Sequence, residues 1–279
     1  MTLLAVVELG RGLVSADEPV LYADDEGVLR ARAVFETLRV YGGKPFRLDD
    51  HLDRFAVSAA RVGLRAPDRA AFAEASAQAL AAAAAPDAVL RLLWTAGREG
   101  ANRPLGLVLV SSLPPDLEVL RARGLRVATV PWAPGALAGA KSTSYAENLA
   151  ARDDAARRGA DDALLVAADG TVLEAPTANV CWREGELLLT PTLDLPILAG
   201  VTRATVLELA PAAGYRVEEG SFPLGRLARA DEVFLCSSVR EVMAVVAIDG
   251  EQVATGAPGP AATSLQRALR EAAGYPLPQ

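Results

Sequence analysis

The chain has 279 residues and a formal net charge of −7, from 28 basic and 35 acidic side chains. The acidic surplus argues against nucleic acid or an anionic membrane as a main partner, since neither is attracted by the net charge. Its 51% apolar and 23% charged composition excludes a disordered chain, and its two distant cysteines, Cys181 and Cys236, exclude a disulfide framework and a thiolate zinc site.

Length alone gives a prior of about two domains. No apolar run approaches the roughly 18 residues of a membrane span. The start lacks a basic segment followed by a long apolar core, so no secretory signal is expected and a reducing cytoplasm is predicted. Leu3–Leu9 and Val34–Val40 read as strands. Tyr41-Gly42-Gly43-Lys44-Pro45 reads as a hairpin turn, with Phe46-Arg47-Leu48 returning. Asp50–Gly63 is predicted helical, with Asp49 or Asp50 as its cap. Arg69–Ala85 is an alanine-rich helix stopped by Pro86, and Ala88–Thr95 and Leu105–Ser111 are strands. Ser111-Ser-Leu-Pro-Pro-Asp116 is the linker candidate, which places a domain boundary between Pro114 and Gly124.

The chain re-enters structure at Leu125–Pro131. A helix over Ser144–Arg158 ends at Gly159. Ala163–Ala167 and Thr171–Glu174 pair across an Asp-Gly turn, and Asn179–Arg183 pairs with Glu186–Thr190. Gly200-Val201-Thr202 opens the helix Arg203–Ala210. Glu232–Cys236 and Met243–Ile248 are strands, and Ala262–Ala273 closes the chain as a helix. Strands and helices alternate in both halves, so the predicted class is α/β or α+β in two domains.

Only two of the basic residues are lysines, Lys44 and Lys141. Arginine cannot shed its proton and attack a carbonyl as lysine can, so a lysine kept in this background is a candidate for chemistry. The plainer reading is that both survived by drift, and Lys44 has the turn as its explanation. The single histidine, His51, excludes multi-histidine metal sites, and no metal site is expected. At the start of a helix it reads as a packing or capping partner before it reads as a base. In the second half, Lys141 precedes a helix, Glu174 closes an apolar strand, Val201 and Thr202 lie at a helix start that favours a phosphate, and Ser237-Ser238 follows a strand end. An amine, an acid and a phosphate cradle are the parts a pyridoxal phosphate site needs. Spacing alone does not prove that they converge.

Several phrases carry a family resemblance. They are Phe35-Glu36-Thr37-Leu38-Arg39, His51-Leu52-Asp53-Arg54, Lys141-Ser-Thr-Ser-Tyr145-Ala-Glu-Asn, Gly-Ala-Asp-Asp-Ala, Glu174-Ala-Pro-Thr-Ala-Asn179 and Ile-Leu-Ala-Gly-Val-Thr202-Arg. In this order, over nearly the whole chain, they resemble the class IV (fold type IV) pyridoxal phosphate enzymes. That family includes branched-chain and D-amino acid aminotransferases and 4-amino-4-deoxychorismate lyases. Trp94-Thr-Ala-Gly-Arg98-Glu99 and Ser237-Ser-Val-Arg are most similar to the lyases.

The resemblance implies a smaller N-terminal α/β domain, residues 1–115. It also implies a larger, barrel-like C-terminal domain, residues 125–279, carrying the lysine and the pyridoxal 5'-phosphate. It further implies a homodimer, with the site between the domains and near the dimer interface, acting on a small molecule. Lys141 would bond to the cofactor aldehyde and shuttle the proton. Glu174 would face the pyridine nitrogen, and Arg54 would clasp the phosphate. Val201, Thr202, Ser237 and Ser238 would complete the phosphate cup. Tyr145 and Asn179 would line the cofactor, with simple structural roles as their alternative. Thr37 and Arg98 would meet the substrate, Arg98 as a displaced carboxylate clamp or else as a solvated loop charge.

Two departures stand out. The family's Arg-Gly-Asp-Gly-like run reads Arg30-Ala31-Arg32-Ala33 here, so a positive φ is no longer easy. The Thr-Arg-Gly phrase whose arginine holds the substrate carboxylate in D-amino acid aminotransferases has Ala96 in the arginine's place, which argues against that activity. Three functions follow in order of preference: a lyase, an aminotransferase, and a non-catalytic oligomeric binding protein that kept the fold.

Overall fold

A computed structural model describes residues 1–275; residues 276–279, expected at the end of the C-terminal domain, lie outside the described residues. The chain forms two compact units. Unit 1 is Met1–Pro115 with Gly139–Tyr145, and unit 2 is Asp116–Ala138 with Ala146–Gln279.

Unit 1 contains β1 (Leu3–Glu8), β2 (Gly12–Val14), α1 (Glu26–Leu29), β3 (Ala33–Tyr41), β4 (Lys44–Pro45), α2 (Leu48–Arg61), α3 (Arg69–Ala83), β5 (Ala88–Thr95) and β6 (Leu105–Ser111). Its six strands form an antiparallel sheet in the order β2-β1-β6-β5-β3-β4. Side chains alternate across a strand, so Val34, Leu38 and Val40 of β3 share one face. They pack with Leu52 and Phe55 of α2 and Phe72, Ala75 and Ala79 of α3. Phe55 meets Phe72 edge-to-face at 5.1 Å between ring centroids.

Three local expectations are corrected here. Phe46-Arg47-Leu48 is not a returning strand, because β4 stops at Pro45 and α2 starts at Leu48. Neither Asp49 nor Asp50 caps α2. Both lie inside its first turn, where they complement the helix dipole, and the cap position is Arg47, with φ 54° and no side-chain cap hydrogen bond. Ala31 adopts φ 51° although it has a Cβ. Its carbonyl is held in that turn by the Ala33 N–H at 2.9 Å and the Thr143 hydroxyl at 3.1 Å. A left-handed alanine costs about 1–2 kcal/mol. Ala31→Gly is therefore expected to stabilise the protein by about 0.5–1 kcal/mol, after the glycine's greater unfolded-state entropy is subtracted. A thermal melt checks this, and an unchanged or lower midpoint contradicts it.

Unit 2 opens with α4 (Leu117–Arg123), in the stretch expected to be a boundary, followed by β7 (Leu125–Pro131), α5 (Ala146–Arg157), β8 (Asp162–Val166), β9 (Asn179–Glu184), β10 (Leu187–Pro191), α6 (Val201–Leu209), β11 (Arg216–Gly220), β12 (Glu232–Ser237), β13 (Glu241–Ile248), β14 (Glu251–Gln252) and α7 (Pro260–Ala272). The mixed sheet runs β11-β10-β9-β12-β13-β7-β8, with β14 paired to β13. β12 and β13 are nearly continuous apolar runs with both faces buried, as central strands of a covered sheet require. The expected strand Thr171–Glu174 is instead an irregular return. It pairs with β8 only through an isolated bridge between Val166 and Val172 and a few main-chain hydrogen bonds. Cys181 and Cys236 are both free and buried. No helix among the described residues is long and apolar enough to cross a membrane.

Candidate active site

Lys141 belongs by contact to unit 1, although its sequence position suggested the C-terminal domain. The reason is main-chain pairing. The Phe35 N–H donates to the Lys141 carbonyl at 3.0 Å, the Thr143 N–H donates to the Ala33 carbonyl at 3.0 Å, and Ser142 bridges Val34. Residues 141–143 thus lie along the start of β3. The Lys141 N–H donates to Ser58 Oγ of α2 at 3.0 Å, so its peptide is fixed from both sides. Its Nζ sits 4.6 Å from the centre of the Phe35 ring, which meets Tyr145 edge-on at 5.6 Å. An amine against an aromatic face is held by a cation–π contact and is partly desolvated. Lys44 is exposed and opens β4, paired with Tyr41 of β3 just after the Gly42-Gly43 turn.

Glu36 interrupts the apolar row of β3. It is fully buried, and α2 supplies its partners. Arg54 embraces the carboxylate with a two-pronged fork, Nε to Oε1 at 2.8 Å and Nη2 to Oε2 at 2.7 Å. His51 Nδ1 contacts Oε2 at 2.7 Å. Burial alone would raise the Glu36 pKa, but the Arg54 charge and the hydrogen bonds from Arg54 and His51 outweigh it and bring the pKa to about 2. His51 moves below its ordinary value because of burial, with the Arg54 and Lys141 charges adding to that and Glu36 opposing it. His51 is thus a buried hydrogen-bond partner of Glu36.

Two further candidates lie on unit 1. Thr37 is half-buried on the Phe35 face of β3, in register with Arg91 of β5. Arg98 has a carboxylate of its own: it forks onto Asp24 at 2.8–3.0 Å and stacks on Tyr22 at 4.7 Å, with about half its side chain exposed.

The remaining candidates lie on unit 2. Glu174 accepts from Asn179 Nδ2 at 3.0 Å and from the Leu198 N–H at 3.2 Å. Asn179 gives its amide to Glu174 and to the Leu198 carbonyl at 2.9 Å, so it orients the acid. α6 follows Gly200 with no side-chain cap. A Cβ at Gly200 would fall 1.9 Å from Asn179 Oδ1, so only glycine lets the helix start approach this amide so closely. Val201 and Thr202 occupy the first turn, where N–H groups lack helical partners and an anion is favoured.

Ser237 ends β12 and Ser238 enters the turn to β13. Buried ion pairs flank that turn. Arg240 pairs with the fully buried Asp162, and Glu241, at φ 59°, bonds Arg270 at 2.8–3.0 Å and Gln266 at 2.8 Å. Sequence reasoning assigned no role to Glu36, Ser58, Leu198, Asp162 or Arg240. For Glu36 the available signal was one acid in an apolar strand row, and for Asp162 a carboxylate opening an apolar strand.

The class IV amino-transferase family model matches residues 33–248. The chain is 33% identical to the bifunctional aminodeoxychorismate lyase / D-amino acid transaminase of Mycobacterium tuberculosis, over 89% of this chain and 92% of that one. It is 30% identical to the aminodeoxychorismate lyase of Bacillus subtilis, over 90% of this chain and 89% of that one. Among solved structures, a fold IV transaminase from Curtobacterium pusillum superposes with a TM-score of 0.89 at 33% identity, covering 96% and 97% of the two chains. A hypothetical aminotransferase from Mycobacterium tuberculosis in a PLP-bound form superposes with a TM-score of 0.90 at 31% identity, covering 96% and 98%. The fold, the ordered motifs and these matches agree: the chain belongs to the class IV aminotransferases, a family of pyridoxal-phosphate-dependent enzymes.

Proposed function

We propose that this enzyme is a 4-amino-4-deoxychorismate lyase that releases pyruvate and leaves 4-aminobenzoate. The observation that carries the lysine chemistry is Lys141 itself, with its peptide fixed at both ends and its amine against an aromatic ring. The residues fit pyridoxal phosphate. They offer a reactive amine, a carboxylate steadied by two N–H donors for the pyridine nitrogen, and an uncapped helix start behind Gly200 for the phosphate. Arg54, Val201, Thr202, Ser237 and Ser238 are the proposed phosphate ligands, and Tyr145 lines the ring. Held by these residues, pyridoxal phosphate would supply an electron sink for the carbon that bears the substrate amine. Lys141 Nζ would take the proton from that carbon. The ring C–O bond would break with its electron pair passing to the ether oxygen, the three-carbon group would leave as enolpyruvate and take back one proton at its methylene carbon to become pyruvate, and the six-membered ring would become aromatic.

Ala96, in place of the carboxylate-holding arginine, supports the lyase over a D-amino acid aminotransferase. So does Arg98, whose guanidinium is occupied by Asp24. An aminotransferase is the second reading, because the Mycobacterium tuberculosis relative is described as bifunctional. Paired assays separate them. The lyase forms pyruvate and 4-aminobenzoate from aminodeoxychorismate with no keto acid present. Conversion of an amino acid only when a keto acid is supplied, with neither lyase product formed, would overturn the proposal.

A further inference from the structure

One face of α2 reaches both the lysine and the arginine. His51, Arg54 and Ser58 stand at i, i+3 and i+7, a single stripe of a 3.6-residue helix. His51 and Ser58 are 2% and 1% exposed, whereas Arg54 retains 11% side-chain exposure. Glu36 takes two of the five N–H groups of Arg54, those on the buried side of the guanidinium. His51 Nδ1 holds the same carboxylate at Oε2, the oxygen that Arg54 Nη2 also contacts. The guanidinium plane is thereby fixed by a carboxylate that is itself fixed. One helical turn further on, Ser58 Oγ receives the Lys141 N–H. This bond sets the depth at which the lysine side chain leaves the main chain.

We propose that α2 is a positioning element for two ends of the cofactor: Ser58 positions the amine of Lys141, while His51, through Glu36, positions the phosphate clasp of Arg54. The inference rests on the function proposed above, since it takes Lys141 and Arg54 as cofactor ligands. It assigns separable jobs to residues on one helix. Ser58 acts on the aldehyde end of the cofactor, and His51 and Glu36 act chiefly on its phosphate end, through Arg54.

Pyridoxal 5'-phosphate and pyridoxal, which lacks the phosphate, separate the two jobs. The full-length chain, freed of cofactor, is titrated with each probe, and the visible absorbance of the bound form gives the affinity. Ser58→Ala is expected to weaken both probes alike, by about five- to tenfold for one hydrogen bond lost at the lysine. His51→Leu is expected to weaken pyridoxal 5'-phosphate about tenfold, through a displaced charge-assisted contact, and pyridoxal less than twofold. His51→Asn places an amide N–H where Nδ1 stood and is expected to recover most of the loss.

A merely structural role for His51 would weaken both probes equally, and that result overturns the proposal. So does a Ser58→Ala effect confined to the phosphorylated probe, or wild-type affinity in both variants. Should His51→Leu fail to fold, the Ser58→Ala and His51→Asn titrations decide in the same way: an equal loss of both probes in the first supports the proposal, and a loss of pyridoxal in the second overturns it. A wild-type chain that develops no absorbance with either probe overturns the proposed function, and with it this inference. A wild-type chain that binds both, beside variants that bind equally well, overturns this inference alone.

Discussion

Lys141→Ala is expected to abolish the visible absorbance of the cofactor-loaded protein and to lower the rate by roughly 10⁴-fold or more, the scale seen when a covalent catalytic group is deleted. The substitution removes the amine and leaves intact the main-chain bonds that hold the segment to β3 and α2, because the Phe35, Ser58 and Thr143 contacts run through the backbone or through other side chains. The loss is therefore expected without unfolding, and an unchanged thermal midpoint is part of the result. Lys44→Ala, at the exposed start of β4, is the internal control and is expected to keep both absorbance and rate. A Lys141→Ala protein that retains the absorbance, or stays within tenfold of wild-type rate, contradicts the assignment of this amine. A wild-type protein that never gains absorbance returns the reading to a non-catalytic binding protein.

Glu36→Gln is expected to cost about 3–5 kcal/mol of stability, because it leaves the buried edge of the Arg54 guanidinium facing a neutral amide. Against a total stability of about 5–15 kcal/mol, this is a large single-site loss. A urea titration checks it: the midpoint falls and the slope is unchanged. A loss below about 1 kcal/mol would mean that the pair lies in contact with water and is worth no more than a surface pair.

The same cluster sets a pH dependence. Glu36 has a folded pKa of about 2 against its ordinary 4.5. Its contribution is complete above pH 4.5 and is lost as pH falls toward 2. His51, also lowered, is neutral in the folded chain where the unfolded chain already binds a proton. Its effect is absent above pH 6.5 and destabilises the fold as pH falls below that value, by at most about 1.4 kcal/mol per pH unit. His51 is the single histidine, so His51→Leu is expected to flatten the stability profile between pH 6.5 and 5. A variant profile that parallels wild type in that window contradicts it.

Local chemistry made much of this protein legible in its sequence. The apolar alternation of β3, the run of β5 and the alanine-rich α3 followed by Pro86 need only near neighbours to be read. The same is true of Lys141, conspicuous because arginine took nearly every other basic position, and of the Gly200 helix start. Cap and turn details were less legible. Arg47 and Ala31 take left-handed backbone that propensity disfavours, and in the Ala31 turn the hydroxyl of Thr143, 112 residues away, holds the conformation.

By itself, the sequence determined most of the elements and the family, and it singled out Lys141 as the candidate amine, because each is written in short spans of residues. Only the tertiary structure decided that the lysine segment pairs with β3, that Glu36 is the buried anchor of Arg54 and His51, and that Asn179 steadies Glu174. The lysine and Glu36 contacts depend on how α2 and the lysine segment pack onto a sheet. Such packing comes from burying apolar faces contributed by residues far apart in the chain, and no local period or spacing records which polar groups will meet there.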